Sequence, residues 1–157
     1  MPRPRPCKSR RPEAASRLAT MASGATMKVE VVSPERVLFS GQATQVITRT
    51  ESGGEIAFLP GHTSFLGVLT ENHTRIYLED GKVQSVAVHG GYVEASGGHV
   101  TILSDNAELA QDIDVARARA AKERAETAMR GEHDAVVEAD LRRAHARLSA
   151  VGGLGEA

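Results

Sequence analysis

The sequence contains a single cysteine, no tryptophan and few other aromatic residues. Because Cys7 has no second cysteine to pair with, an internal disulfide is excluded. Aromatic residues make up only 3% of the chain, whereas 41% of its residues are hydrophobic, so a core must be built mainly from valine, isoleucine and leucine. No apolar run reaches the roughly 18 residues of a membrane-spanning helix, and no transmembrane helix is predicted.

The net charge of −1 gives no general attraction to nucleic acid or to anionic lipid. Residues 1–26 are nevertheless basic, with six Lys and Arg against Glu13, and four prolines there oppose a regular helix. We expect these residues to form a disordered basic extension. This extension is either an organelle transit peptide or the product of a gene start placed too early. The prolines favour the second interpretation, with Met21 or Met27 as the true start.

From Met27 to about Ser104 the apolar residues recur with a period of two, in short runs such as "KVEVVS", "TRIYLE" and "HVTILS". Gly-rich corners separate these runs, and Asp80-Gly81 is a strong hairpin signal. Several short strands at close spacing predict an antiparallel β-sandwich or barrel over residues 27–111.

After Ser104 the composition becomes typical of helices, in "DVARARAAKERAETAMR" and "AVVEADLRRAHARLSAV". Asp114 is the expected N-cap of the first helix, and Gly131 is suited to end it. We predict an antiparallel two-helix hairpin over residues 112–151 and a frayed tail over 152–157. Because its apolar face is mostly alanine, the hairpin buries little area and is expected to dock weakly.

The sequence offers no pattern for catalysis or for metal binding. The six histidines lack the spacing of a zinc site. The serine-hydrolase elbow and the phosphate-binding P-loop are also absent. We therefore predict no catalytic residue and no metal ligand.

A candidate nucleotide site lies where the strands give way to the first helix. Asp114, Arg117 and Arg124 project from roughly one side of that helix, and Glu108 lies just upstream. Guanidiniums suit phosphate or a stacked base, and a carboxylate suits a polar base edge. The alternative is an ordinary N-cap beside a solvated, salt-bridged face, and the residues alone favour that alternative.

The segment "EIAFLPGHTSFLGVL" interrupts an apolar run with a turn. Pro60 fixes φ and Gly61 permits a positive φ, so the pair predicts a tight type II turn from which His62 projects. This corner is either a plain connection with a solvated histidine or an exposed contact loop.

Several motifs in order, "SPE", "GEIAFLPGH", "GGYVE" and "AELAQDID", resemble the ε subunit of bacterial F-type ATP synthases over residues 28–126. The resemblance implies a flattened sandwich of about ten strands followed by two helices. It implies a non-catalytic rotor subunit that couples the c-ring to γ and the catalytic head and restrains ATP hydrolysis. It also implies a peripheral position at the cytoplasmic face of the bacterial cell membrane, which the subunit meets only through the complex.

The resemblance also assigns partners and residues. The implied partners are γ, the c-ring and the α and β subunits, without nucleic acid. The corner residues Pro60, Gly61 and His62 would contact the c-ring, although Thr63-Ser64 replace the proline that often follows in the family. No cofactor is required.

The segment Ile113–Ala118 matches the "I/L-D-x-x-R-A" motif with which some relatives bind regulatory ATP. Its implied contacts are Glu108, Asp114, Arg117 and Arg124, with Arg147 a candidate from the second helix. In an extended hairpin, inhibitory contacts with the catalytic subunits would come from Arg142, Arg143 and Arg147. The alternative to a rotor subunit is a free-standing β-sandwich module that senses a nucleotide.

Overall fold

The structure, a computed structural model, describes residues 24–131 and 134–152. Its strands are β1 (Met27–Val32), β2 (Val37–Thr50), β3 (Gly54–Phe58), β4 (Phe65–Leu78), β5 (Val83–Ser96), β6 (His99–Leu103) and β7 (Ala107–Leu109). A 3-10 turn at Ala110–Asp112 leads into the helices α1 (Val115–Met129) and α2 (Ala135–Gly152). Most of the predicted basic extension, residues 1–23, and residues 153–157 of the predicted tail lie outside the described residues.

The strands close into a flattened sandwich, as predicted. They run in the order β1-β6-β5-β4-β2-β3, β7 pairs with β5, and an additional β1–β2 pairing completes the circuit. The described residues form seven strands where about ten were predicted, because β2, β4 and β5 are each 14 residues long. If each of these three long strands is counted as two, once for each layer of the sandwich, the total is ten. The β1–β6 pair is parallel, which the all-antiparallel prediction missed.

The core is aliphatic, as the shortage of aromatic residues requires. Valine and isoleucine side chains fill it, and Phe58 is the one fully buried aromatic among the described residues. Thr48, Asn72 and Thr74 form a buried polar cluster within it: the Thr74 hydroxyl donates to Asn72 Oδ1 at 3.0 Å, and the two threonine hydroxyls lie 2.8 Å apart. Each buried hydroxyl therefore has a partner.

The corner at Pro60-Gly61 joins β3 to β4 and has the predicted geometry. Gly61 has φ +85°, and the His62 N–H donates to the Leu59 carbonyl at 3.0 Å, as in a type II turn.

β5 changes partners midway along its length. It pairs with β7 over Val86–Val88 and with β6 over Tyr92–Ser96. Gly91 lies at the change, with φ +113° and no room for a side chain, because an added Cβ would lie 2.0 Å from the Leu103 carbonyl oxygen. This close approach lies where the chain passes from β6 to β7 along the edge of β5 that β4 leaves free.

The hairpin lies on the outer face of the sandwich. α2 packs on β4 and β5, whereas α1 packs mainly on α2. The apolar contact consists of small side chains around Ile113, namely Ala87, Ala110, Ala118 and Ala150, flanked by Leu148 and Val151. Such a contact buries little area, in keeping with the weak docking that the alanine-rich sequence predicts. Neither of the described helices is long and apolar enough to cross a membrane.

Candidate nucleotide site and contact surfaces

A cavity of about 410 Å³ lies between the sandwich and the two helices, and it brings the predicted nucleotide residues together. Carboxylates and guanidiniums line it in equal number: Glu108, Asp112, Asp114, Arg117, Arg124 and Arg147. No cluster of three or more possible metal ligands occurs within residues 24–131 and 134–152.

The N-terminus of α1 forms one wall of this cavity. The Asp114 carboxylate caps the helix by accepting the Arg117 backbone N–H at 3.0 Å, which confirms the predicted cap. Seven residues correspond to almost two helical turns, so Arg117 and Arg124 project from the same side of α1. Both side chains are exposed at the cavity, where they are available to an anionic ligand.

The opposite wall is an ion pair between β7 and α2. Arg147 donates from Nε to Glu108 Oε1 at 2.8 Å, and its Nη2 lies 2.6 Å from the same oxygen. Burial raises the pKa of the Glu108 carboxyl, but the hydrogen bond and charge of Arg147 outweigh it, so the pKa lies below its ordinary value. Glu108 therefore stays ionised at neutral pH and fixes Arg147 at the cavity.

A second ion pair joins α2 to β4 of the sandwich. Arg142 Nε donates to Glu71 of β4 at 3.1 Å, and Arg142 also pairs with Glu138 on its own helix. Burial raises the pKa of Glu71, but hydrogen bonds from its own backbone N–H and from Arg142 leave the pKa below its ordinary value. Two Arg–Glu pairs thus supplement the alanine contact.

The structure separates the three arginines that were predicted to be inhibitory. Arg142 and Arg147 are held by carboxylates of the sandwich, whereas Arg143 pairs with Asp140 within α2 at 2.9 Å. The first two arginines are therefore engaged by the sandwich in the docked arrangement.

The corner residues differ from expectation in one respect. The sequence suggested that His62 projects from the corner, but its ring packs edge-on against Phe58, with centroids 4.9 Å apart, and lies near Phe65. Its Nδ1 lies 2.7 Å from the Thr63 carbonyl oxygen. Gly61 is exposed and Pro60 is half-buried, while the exposed apolar side chain at the corner is Leu59.

An exposed apolar band crosses the outside of the sandwich, and sequence reasoning missed it. Val68 faces Tyr92 across β4–β5, Tyr92 faces Leu103 across β5–β6, and Leu103 connects through Val32 of β1 to Val37. Tyr92 and Val37 are 54% and 58% exposed. Apolar residues on both faces of these strands were the available signal. Exposed apolar side chains grouped in this way are typical of an interaction surface.

Comparison with known proteins identifies the family. Models of the ATP synthase delta/epsilon chain match twice, the beta-sandwich domain over residues 26–110 and the long alpha-helix domain over residues 111–152. The ATP synthase epsilon chain of Brevibacillus brevis is 51% identical over 100 residues, which cover 64% of this chain and 75% of the relative. The epsilon chain of Streptomyces avermitilis is 42% identical over 127 residues, covering 81% and 96%.

Solved structures share the fold. A chain in the cryo-EM structure of the Euglena gracilis mitochondrial ATP synthase superimposes with a TM-score of 0.70 at 22% identity, covering 81% of each chain. A chain from the central stalk and c-ring of the Tetrahymena thermophila enzyme gives 0.51 at 16% identity, covering 83% of this chain and 94% of the other. Since the two family models together match residues 26–152, the chain belongs to the ATP synthase delta/epsilon chain family.

Proposed function

We propose that this chain, an epsilon-type subunit of an ATP synthase, is a non-catalytic rotor component whose hairpin restrains ATP hydrolysis and is held back by bound ATP. One observation carries the proposal. The cavity takes Glu108 from the sandwich, Arg117 and Arg124 from α1, and Arg147 from α2. A ligand that contacts all three parts binds only the docked arrangement and therefore stabilises it.

ATP fits the chemistry of this cavity. Arg117 and Arg124 provide exposed guanidiniums for the phosphates, and the carboxylates can accept hydrogen bonds from the amino group of the base. The lining charges are suited to binding, and no nucleophile paired with a base stands among them. ATP is therefore proposed as a regulatory ligand and not as a substrate.

The surfaces of the sandwich suit the proposed neighbours. The exposed band of Val68, Tyr92, Leu103 and Val37 is apolar, as expected of a face covered by a permanent partner, and we assign it to γ. The corner around Pro60, Gly61 and His62, with Leu59 exposed beside it, is assigned to the c-ring. The chain would then lie at the cytoplasmic face of the bacterial cell membrane and meet the membrane only through the complex.

Restraint requires the hairpin to leave the sandwich and extend toward the catalytic head. Release breaks the pairs Arg142–Glu71 and Arg147–Glu108 and frees both arginines, beside Arg143, for acidic segments of the α and β subunits. A cationic helix wedged there opposes rotation in the hydrolytic direction. The exposed apolar band argues against a free-standing sensor, and co-purification with γ and the catalytic head distinguishes the two.

Replacing Arg124 by glutamine is expected to weaken ATP binding by about tenfold, because a hydrogen bond between charged groups contributes about 1.5 kcal/mol. Isothermal titration of the full chain with Mg-ATP measures the change. Arg119→Gln is the matched control, since Arg119 is an exposed arginine of α1 that does not line the cavity. An equal loss in both variants, or no binding by the natural chain at millimolar ATP, would contradict the nucleotide site.

A further inference from the structure

His89 of β5 is a buried imidazole without a hydrogen-bond partner for its ring. Its side chain is 1% exposed, and neither Nδ1 nor Nε2 has a partner among the described residues. Nε2 lies 3.5 Å from Glu108 Oε1, which is longer than an ordinary hydrogen bond. A buried polar ring left unsatisfied is unusual and requires an explanation.

The position of His89 makes this burial conditional on the hairpin. Along β5, His89 has the same orientation as Ala87, which packs against the hairpin, and both side chains point to the outer face. Arg147, which lines the cavity, is the charge of α2 that acts most strongly on the ring. Departure of the hairpin would therefore return the imidazole of His89 to water.

Charged groups face His89 from each element packed around it. Glu108 comes from β7, and Arg147 and Arg143 come from α2. Glu71 lies opposite on β4, where it is already paired with Arg142. Only Glu108 approaches the ring closely with a negative charge, and that carboxylate is neutralised by Arg147 at 2.8 Å.

A proton on His89 is therefore disfavoured while the hairpin is docked. Burial lowers the pKa of the His89 imidazole below its ordinary value, the positive charge of Arg147 lowers it further, and Glu108 opposes this only in part. With the hairpin released, the ring regains water and loses Arg147, so its pKa rises toward the ordinary value of about 6.5. Protons thus bind the released arrangement better than the docked one.

We propose that His89 makes docking of the hairpin sensitive to pH, so that its protonation releases α2 from the sandwich. Docking is at full strength above about pH 6.5 and weakens as the pH falls through that value toward the docked pKa. If the proposed function holds, acidification favours the extended, inhibitory arrangement and opposes ATP, because Glu108 and Arg147 belong to both the imidazole's surroundings and the nucleotide cavity.

The other titratable groups near the hairpin either titrate at lower pH or can be tested with a control substitution. Because the pKa values of Glu108 and Glu71 lie below the ordinary carboxyl value, these acids stay ionised between pH 8 and pH 5.5. His73 lies on the same face and burial lowers its pKa too, but its Nε2 is 3.0 Å from the Ser85 hydroxyl and keeps a partner. His73→Gln is therefore the matched control for His89→Gln.

The test measures docking without nucleotide in the full chain. In a Cys7→Ser background, Gln42→Cys on the sandwich and Glu123→Cys on α1 carry a pair of fluorescent dyes, both at exposed positions. Between pH 8 and pH 5.5 the docking constant should fall by up to about tenfold, which is the limit set by one unit below a pKa of 6.5. Most of the fall should persist in His73→Gln, and most of it should be lost in His89→Gln.

Two further measurements keep the outcomes distinct. NMR titration of His89 in the natural sequence should give the same midpoint as undocking, which tests the proposal even if His89→Gln folds poorly. Arg142→Glu reverses one ion pair and should release the hairpin at every pH. If the hairpin of Arg142→Glu stays docked, the movable hairpin of the proposed function is contradicted. If that hairpin is released but docking in the natural chain does not depend on pH, only the role of His89 is overturned.

Discussion

Deleting the chain from Asp114 onward is expected to raise the ATP hydrolysis rate of the assembled ATP synthase while assembly survives. The deletion removes α1 and α2 but leaves all seven strands. It uncovers Ala87, Ala110 and Ile113, and because these side chains are mostly small, the sandwich should remain folded. If docked and extended arrangements are similar in free energy, about half of the molecules are restrained at any moment, and the rate should rise about twofold.

Glu71→Gln in the complete chain is the control with the opposite sign. It weakens the ion pair with Arg142 without removing any positive charge from α2. A loss of about 1 kcal/mol of docking moves an even balance to about one docked molecule in six, so hydrolysis should fall about threefold. Steady-state ATPase assays on the purified complex measure both variants. Unchanged hydrolysis after the deletion would end the inhibitory role of the hairpin.

Local features were predictable from the sequence because neighbouring residues decide them. The Asp114 cap and the Pro60-Gly61 turn depend on side chains and φ angles within four residues, and both occur as predicted. Arg117 and Arg124 could be placed on one side of a helix for the same reason, since helical spacing is fixed. Composition likewise anticipated the aliphatic core and the alanine-rich hairpin contact.

The features that escaped prediction depend on packing between distant parts of the chain. The ion pair between Arg147 and Glu108 joins residues 39 positions apart, and neither local pattern nor spacing indicates it. Nothing in the strand pattern around His89 indicates that its ring is buried. The parallel β1–β6 pairing and the apolar band through Tyr92 likewise arise only when the sandwich closes.

Gly91→Ala is expected to destabilise the chain more than any other single change considered. Its Cβ would lie 2.0 Å from the Leu103 carbonyl oxygen and 2.8 Å from Ser104 Cα, both backbone atoms that cannot turn aside. The φ of +113° adds backbone strain for an alanine. Together these effects should lower the free energy of unfolding by about 4 kcal/mol, a large part of the stability of a typical domain.

The control is Gly97→Ala, at a turn with φ +56° and open space around the added Cβ. This variant has the backbone strain without the steric clash, so its free energy of unfolding should fall by only about 1 kcal/mol. Urea unfolding followed by circular dichroism compares the two variants. The segment that approaches Gly91 also leads into β7, which holds Glu108 beside Arg147. Any Gly91→Ala chain that folds should therefore bind ATP poorly, whereas equal stability of the two variants would show that the close approach is not needed.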